Sequence, residues 1–320
     1  MNAPLNLLTS SGAAAGPVAA LTWGLLAISI AVVLIITFLV VAGILRRQVP
    51  LPPGGFAEAP VERAPGGLRW ITIGLAVSTV ALVVSLVWTV ATLAAVSGPP
   101  TRPTLTIRVT GRQGWWQADY LSPANPSLAF TTANELHSPV GQPVRVELVG
   151  GDVIHSFWVP QLAGKTDTIP GRTNLAWIEA DRPGTYWGQC TEYCGQQHAH
   201  MAFKVVAESP QAFQSWRQAQ LVPGPRGLIG DALAGQQLFN DRCGACHRVR
   251  GTDAGGSTGP DLTHLMSRTT IAAGTEPNTR GSLGGWIANP QAVKPGTTMP
   301  TLYLSGPQLA SVTAYLETLK

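Results

Sequence analysis

Two long apolar runs near the beginning of the chain constrain its fold more than any other feature. Residues 18–45 and 70–101 contain no Asp, Glu, Lys or Arg. A hydrocarbon core ~30 Å thick takes about 20 mostly apolar residues to cross as a helix. Because backbone groups in lipid need partners within their own segment, the runs are predicted to form a helical hairpin, with helices over about 18–45 and 70–98.

Basic residues near the connection between the runs predict how the hairpin is oriented. These residues are Arg46, Arg47, Arg63 and Arg69, and no Lys or Arg precedes the first run. The positive-inside rule then places the connection in the cytoplasm and everything after residue 101 outside. A cleavable signal peptide is the alternative for the first run, but such peptides begin with basic residues and have a shorter apolar core.

The external part of the chain divides at residues 221–230, a stretch interrupted by Pro and Gly that is interpreted as a linker. Residues 102–220 hold alternating or β-branched segments that begin at Leu105, Val144, Asn174 and Ala202. Short strands of this kind, with turns between them, predict a β-sandwich or small barrel. Residues 1–101 are the third part, comprising an N-terminal tail and the hairpin.

Residues 231–320 have a helical pattern. Asp231 is the expected N-cap of the first helix, and a last helix is expected to start within residues 305–307 and to bury residues at helical spacing. Those residues are Leu309, Val312, Leu316 and Leu319. The net charge of +4 is a small excess spread over the chain and contains no charge run. Nucleic acid is therefore excluded as a partner.

The motif CGACH, from Cys243 to His247, is typical of covalent c-type haem attachment. Two thiols at this spacing, Cys243 and Cys246, reach the haem vinyl groups, and the adjacent His becomes an iron ligand. Met299 is the predicted second axial ligand, and Met266 is its rival on a helical-looking stretch. A simple disulfide is the alternative reading of the two cysteines. The segment resembles a class I cytochrome c.

A second cluster lies at residues 188–201, GQCTEYCGQQHAHM. Its candidate metal ligands, joined by a histidine from another strand, are His155, Cys190, Cys194, His198 and Met201. One thiolate, two imidazoles and a Met would make a blue-copper site. A second thiolate suggests two bridged copper ions instead. Zinc and a Cys190–Cys194 disulfide are the alternatives, although structural zinc sites have no use for Met.

This spacing resembles the CuA site of cytochrome c oxidase subunit II. The resemblance implies a transmembrane hairpin, an all-β cupredoxin-like Greek-key sandwich and, here, a fused all-α cytochrome c domain. It also implies that a binuclear copper centre is held by the two cysteines and by His155, Glu192, His198 and Met201. Glu192 would in addition bind Mg²⁺ at the interface with subunit I.

The resemblance implies the role of subunit II in a multisubunit haem-copper terminal oxidase of a bacterial inner (plasma) membrane, with both external domains periplasmic. Electrons from cytochrome c or a membrane cytochrome complex would pass through haem c and copper to subunit I. There oxygen would be reduced to water with proton translocation. Subunit III and other membrane subunits are further expected partners, and no catalytic residue is expected on this chain.

Two other functions stay open. The electron-input subunit of a CuA-type nitric oxide reductase would carry the same sites, because its reducing centre lies on another chain. A copper-delivery or disulfide protein would bind exchangeable copper and no covalent haem. A nitrous oxide reductase needs a second, His-rich copper cluster, which is too much for a chain with six His.

Two positions depart from the family pattern. Gly114 stands where the family has the Trp that receives electrons, which leaves Trp115 and Trp116 as candidate donor-facing aromatics that could equally well pack the domain. Glu62 lies farther before the second run than the family's proton-channel Glu. Among the other histidines, His200 is expected to face solvent, and His137 and His264 are expected to be ordinary surface or loop residues.

Overall fold

The computed structural model describes residues 5–6, 8–46 and 67–320, so Arg47, Glu62 and Arg63 lie outside the described residues. The chain forms two compact units. One consists of residues 17–97, and the other combines residues 1–16 with residues 98–320.

The first unit contains the two apolar helices, α1 (Ala15–Leu45) and α2 (Gly67–Val96). Both are long and apolar enough to cross a membrane, and the apolar window of each is exposed along its whole length. Large apolar side chains such as Phe38 and Leu82 are each 71% exposed. A helix that is apolar on all faces is stable when lipid surrounds it, which agrees with the predicted hairpin.

The second unit begins with a sandwich of two five-stranded sheets. Its strands are β1 (Leu105–Arg112), β2 (Trp115–Leu121), β3 (Phe130–Ala133), β4 (Glu135–Pro139), β5 (Val144–Gly150), β6 (His155–Trp158), β7 (Thr166–Thr168), β8 (Thr173–Ile178), β9 (Gly184–Cys190) and β10 (Ala202–Glu208). The four predicted strands are confirmed as β1, β5, β8 and β10. Burial alternates along most of β1 and β5, where one face meets the core, whereas β10 is buried over its first four residues.

The strand order is β3-β2-β1-β5-β8 in one sheet and β4-β10-β9-β6-β7 in the other. The pairs β1–β5 and β4–β10 are parallel, and the remaining pairs are antiparallel. Inward side chains such as Ile107, Val146 and Phe203 are fully buried between the sheets. This arrangement brings the start of β6 next to the loop that connects the end of β9 with the start of β10.

Helices dominate the rest of the unit: α3 (Pro210–Gln220), α4 (Gly230–Arg242), α5 (Arg280–Ala288), α6 (Pro290–Val293) and α7 (Gly306–Leu316). Helices α4 and α7 pack on each other around Phe239, Tyr315 and Leu316. Helix α7 starts at Gly306, within the predicted residues 305–307, and Ser305 caps it in a capping box with Gln308. The linker residues Val222 and Gly224 are hydrogen-bonded to this helical part through His264 and Arg250.

One expectation about this part was wrong in detail. Helix α4 begins at Gly230, so Asp231 lies in the first turn rather than at the N-cap, where its charge still suits the positive helix end. The cytochrome-like part is helical, as predicted, and also contains a short ribbon formed by β11 (Thr270–Ile271) and β12 (Glu276–Pro277). The turn between these strands contacts the sandwich, where Ala202 donates its N–H to the Ala273 oxygen.

His137 was predicted to be a surface or loop residue, but it is a buried residue of β4; His264 lies in a turn, as that prediction allowed, but it is buried as well. His137 stacks on Trp216 at 4.0 Å between ring centroids and lies close to two carboxylates. The two ring nitrogens of His264 lie 2.6 Å and 2.9 Å from backbone oxygens of Lys320 and Val222. Each ring thus serves packing and hydrogen bonding in the interior.

Candidate metal centre and haem cavity

The local folding of β6, β9 and the loop before β10 gathers the first set of predicted ligands. Cys190 ends β9, and its register partner Phe157 follows His155 by two residues on β6. The chain then turns through Cys194 and a short 3₁₀ segment, His198–His200. Met201 follows this turn and comes directly before β10.

The donor atoms of this set lie close together. The Sγ atoms of Cys190 and Cys194 are 3.7 Å apart. The Nδ1 atom of His155 is 3.9 Å from the Cys190 Sγ, and that of His198 is 3.7 Å from the Cys194 Sγ. The Met201 Sδ lies 3.8 Å from the Cys194 Sγ. A disulfide requires an S–S distance of about 2.05 Å, so these cysteines are free thiols.

Asp152 fixes the ring of His155. Its Oδ1 lies 2.8 Å from the Nε2 of His155, and the ring is completely buried. A carboxylate at Nε2 accepts the proton there and leaves Nδ1 as the free donor atom facing Cys190. Burial lowers the pKa of His155, but hydrogen bonds with Cys190 and Asp152 outweigh it, so the pKa is raised overall.

The two thiols behave as a coupled pair. A hydrogen bond from Cys194 lowers the pKa of Cys190 strongly, against the opposing effect of burial. The same contact raises the pKa of Cys194, because two adjacent thiolates repel each other. A bound cation would favour the thiolate form of both cysteines, because thiolates are the form of cysteine that binds metal.

Glu192 and the two Trp residues border this cluster. The backbone oxygen of Glu192 lies 3.2 Å from the Cys190 Sγ, on a loop whose Tyr193 is 75% exposed. Trp116 is fully buried, donates its Nε1–H to the Met201 oxygen at 3.3 Å and lies 5.8 Å from the His155 ring. Trp115 faces the other way and lines a cavity of the cytochrome-like part. His200 is exposed, in agreement with the prediction.

That cavity gathers the second set of predicted ligands. Cys243 caps the end of α4, and the cavity is lined by Cys243, Cys246, His247 and Met299 among others. Both cysteines are free thiols, and burial raises the pKa of Cys243 to about 11. Met266 packs against the hydrophobic core of α4, α5 and α7 and is not among the lining residues.

The backbone around His247 fixes the orientation of its ring. Its Nδ1 lies 2.8 Å from the Pro260 oxygen, which accepts the N–H and leaves Nε2 as a donor atom. Burial lowers the pKa of His247, so the neutral ring is favoured. A Cβ at Gly259 would come within 2.7 Å of the ring, so only Gly fits beside it.

Both donor sets fit the groups that the sequence implies. Metal bonds of about 2.0–2.3 Å to nitrogen and sulfur, the lengths known for zinc, can bridge the measured separations of the first set. His155, Cys190 and Cys194 are also the one group of three clustered metal-binding side chains within the described part of the chain. In the second set, two thiols, a neutral imidazole and a thioether surround a mostly apolar cavity.

Contacts between the sandwich and the cytochrome-like part were missed at the sequence level. The Nζ of Lys294 lies 2.7 Å from the Gly114 oxygen, and Gln197 donates its side-chain N–H to the Pro295 oxygen. A third contact joins Glu135 to Thr269. These partners are far apart in sequence, and the one available signal was Gly114, which departs from the family pattern.

Comparison with known proteins agrees with both sites. Residues 105–209 match the family profile described as cytochrome C oxidase subunit II, periplasmic domain, and residues 232–320 match that of cytochrome c. Cytochrome c oxidase subunit 2 of Alkalihalophilus pseudofirmus is 40% identical over 219 residues, which cover 68% of this chain and 62% of that protein. The same subunit of Bacillus subtilis is 31% identical over 228 residues, covering 68% and 62%.

The chain therefore spans a little over three fifths of the length of these relatives. The crystal structure of the periplasmic domain of subunit II of cytochrome oxidase of Bradyrhizobium japonicum is 34% identical, with a TM-score of 0.35, and covers 38% of this chain and 95% of that one. The two apolar helices ahead of a periplasmic domain indicate a membrane-anchored protein. The chain therefore contains a domain that matches the periplasmic domain of cytochrome c oxidase subunit II, followed by a cytochrome c domain.

Proposed function

We propose that this chain is the electron-input subunit of a haem-copper terminal oxidase. It accepts electrons through a covalent haem c and passes them through a binuclear CuA centre to subunit I, where oxygen is reduced to water with proton translocation. The observation that carries the proposal is the first donor set, in which two thiols, two imidazoles and a thioether lie in successive contacts of 3.7–3.9 Å.

The copper ligands follow from this arrangement. Cys190 and Cys194 would bridge two copper ions, and His155 and His198 would bind one each. Met201 and the backbone oxygen of Glu192 would complete the site as weak ligands. Soft sulfur donors select copper over harder ions, and the closeness of the Met201 Sδ to the Cys194 Sγ favours copper over zinc.

In the second domain, Cys243 and Cys246 would anchor the haem covalently, with His247 and Met299 as axial ligands. When bound, the haem and the copper pair supply carriers that each gain and lose one electron. The protein orients the donor atoms around them. Asp152 holds the ring of His155, the Pro260 oxygen holds that of His247, and the sandwich core excludes water from the thiols.

Trp115 and Trp116 are proposed as aromatics near the electron path. Trp115 lines the haem cavity, and Trp116 contacts both His155 and the Met201 backbone. Their positions on neighbouring residues of β2 put one ring toward each site. Packing of Trp116 in the core is part of the same role, because a buried rigid ring fixes the copper ligands next to it.

The partners and location follow from the family. Subunit I is the proposed acceptor, with subunit III and other membrane subunits in the complex, cytochrome c or a membrane cytochrome complex as donor, and the bacterial inner membrane as the site. Glu192 is the proposed Mg²⁺ ligand. Among the described residues it does not belong to a cluster of three metal-binding side chains, so such an ion would take its other ligands from another chain.

The proposed domain boundaries are residues 1–101, 102–220, 221–230 and 231–320. Hydrogen bonds from the backbone of Val222 and Gly224 to the cytochrome domain support a linker that is held against that domain. A held linker limits the positions that the haem domain can adopt relative to the copper loop. Free diffusion of that domain is then unnecessary for electron transfer.

Purification of the chain with its membrane partners tests the proposal. The complex is expected to reduce oxygen with reduced cytochrome c as donor, and a Cys194→Ser variant is expected to lose this activity while it keeps its haem. Reduction of nitric oxide instead of oxygen would assign the chain to a CuA-type nitric oxide reductase. A complex that performs neither reaction would overturn the proposal.

A further inference from the structure

The cytochrome domain approaches the sandwich closely at one backbone position. The Nζ of Lys294 donates to the Gly114 oxygen at 2.7 Å, and the Lys294 side chain is 3% exposed. Next to it, the Pro295 oxygen accepts an N–H from the side chain of Gln197. A buried Lys has given up its hydration, so it is found where its donors have fixed partners.

Gly114 is the residue that makes this approach possible. Its φ of +83° lies in the left-handed region, and a Cβ there would be 3.2 Å from the Gln197 Cβ and 3.5 Å from the Lys294 Nζ. A large side chain such as Trp would displace both neighbours. Gln197 and, from the cytochrome domain, Lys294 therefore occupy the space next to residue 114, the position at which the family pattern has a Trp.

Gln113, the neighbour of Gly114, links the haem cavity with the copper loop. Its side chain lines the cavity, and its Nε2 donates to the Cys194 oxygen at 3.1 Å. Its backbone N–H donates to Asp152 Oδ2 at 2.7 Å, and the other oxygen of Asp152 holds His155. Gln113 thus borders the cavity, donates a hydrogen bond to the backbone of Cys194 and is linked to His155 through Asp152.

We propose that Gln113 is the bridging residue for electron transfer between haem c and CuA, and that Lys294 is the positioning residue that keeps the haem cavity against it. The inference rests on the proposed function and specifies its internal route. The step moves one electron from ferrous haem to the oxidised copper pair, which leaves ferric haem and a pair reduced by one electron. No bond forms or breaks, and no proton moves.

In the proposed electron route, one hydrogen bond crosses the space between Gln113 and the copper-ligand loop. From the cavity wall it runs through the Gln113 side chain and one hydrogen bond to the backbone of Cys194. The segment with Lys294 also carries Met299, and Gln291 holds that segment through the Thr297 and Met299 oxygens at 2.9 Å and 3.2 Å. The contact of Lys294 with Gly114 therefore holds the segment of Met299 next to Gln113.

Other contacts keep the two domains together when this one is weakened. Thr269 donates its N–H and its hydroxyl to Glu135 at 3.1 Å and 2.7 Å. The Ala202 N–H donates to the Ala273 oxygen at 3.2 Å. A Lys294→Met variant is therefore expected to fold and dock, with a loosened contact at Gly114 alone.

The test measures electron equilibration in the full chain with haem and copper bound, after photoreduction of the haem. Gln113→Leu is expected to slow equilibration severalfold, because it removes the hydrogen bond to the Cys194 backbone, and Lys294→Met is expected to slow it by a smaller factor. The matched control is Gln189→Leu, which removes a similar bond to a ligand backbone, the His198 oxygen at 3.0 Å, away from the cavity. It is expected to keep the wild-type rate.

Two further readouts separate the route from structural damage. The electron-spin spectrum of copper is expected to stay unchanged in Gln113→Leu, and backbone hydrogen exchange at residues 113–117 is expected to rise in Lys294→Met. Wild-type rates of electron equilibration in both Gln113→Leu and Lys294→Met would overturn the inference. A slower rate in a Trp115→Leu variant alone would overturn it too. Neither result would affect the proposed function. A wild-type chain that binds neither group would instead refute the proposed function.

Discussion

The amine of Lys294 is buried 2.7 Å from the backbone oxygen of Gly114, although the two residues are 180 positions apart in the chain. This contact joins the cytochrome domain to the turn between β1 and β2, which carries Gln113 beside the copper-ligand loop. The contact therefore places a titratable amine in the protein interior, although most Lys side chains are exposed to solvent and charged.

The pH dependence of docking follows from Lys294. Burial lowers its pKa to about 7, from 10.5 in water, with a smaller opposing effect of Cys194. Because the undocked Lys binds a proton between these pH values and the docked one does not, docking becomes more favourable as pH rises from about 7 to 10. The melting temperature of wild type relative to Lys294→Met is expected to rise over this range, and a constant difference would contradict the assignment.

The contact between Glu135 and Thr269 is expected to contribute to domain docking. Glu135 is 4% exposed, and its bonds with His137 and Thr269 hold its pKa below the usual value despite burial, which acts the other way. Glu135→Ala leaves buried donors unpaired, at a cost of about 1–3 kcal/mol. Denaturant unfolding followed by haem absorbance measures this cost.

A surface ion pair provides the control for this variant. Arg108 and Glu147 are 3.0 Å apart, and the Arg108 side chain is 48% exposed. Solvent screens such a pair, so Glu147→Ala is expected to cost less than about 1 kcal/mol. Equal losses in Glu135→Ala and Glu147→Ala would show that the buried contact has no special role in docking.

Asp152 is expected to tune copper binding without being a ligand. Asp152→Asn weakens the bond that orients the His155 ring, and losses of such supporting partners lower metal affinity by about 10- to 100-fold. Competition with a chelator measures the affinity. Asp167→Asn, at an exposed carboxylate paired with Lys165 at 3.7 Å, is the matched control and is expected to bind copper as wild type does.

The two methionines of the cytochrome domain are expected to respond differently to substitution. Met299→Leu removes a thioether from the cavity and is expected to lower the haem reduction potential, because His–Met ligation raises it. Met266→Leu changes a core contact and is expected to leave the potential unchanged while altering stability by less than about 1.5 kcal/mol. If the haem reduction potential fell in Met266→Leu and not in Met299→Leu, Met266 would be the axial ligand and Met299 would not.

The sequence predicted the sites better than it predicted the contacts between them. Five of the six proposed copper ligands lie within twelve residues, and the haem motif lies within five, so local spacing was sufficient to propose both sites. The strand segments were equally readable, because one buried face imposes alternation. His155 was predictable as a partner only through the family pattern, since its closeness to Cys190 depends on the pairing of β6 with β9.

The interface could not be predicted because its partners have no local signature. Lys294 and Glu135 lie outside both predicted ligand sets, and no pattern in the sequence marks either as an interface residue. The burial of His137 and His264 also depends on tertiary contacts, with Trp216 and with the chain end. Asp231 did not define the first residue of α4, because an acidic residue is favourable both at the N-cap and in the first turn of a helix.

The content of copper and haem in the purified chain tests the central claim most directly. We expect two copper ions and one covalent haem c per chain, measured by metal analysis together with optical and electron-spin spectra, and an electron-spin signal of one electron shared by both coppers. A fully assembled chain that carried one copper, zinc in place of copper, or no covalent haem would contradict this account.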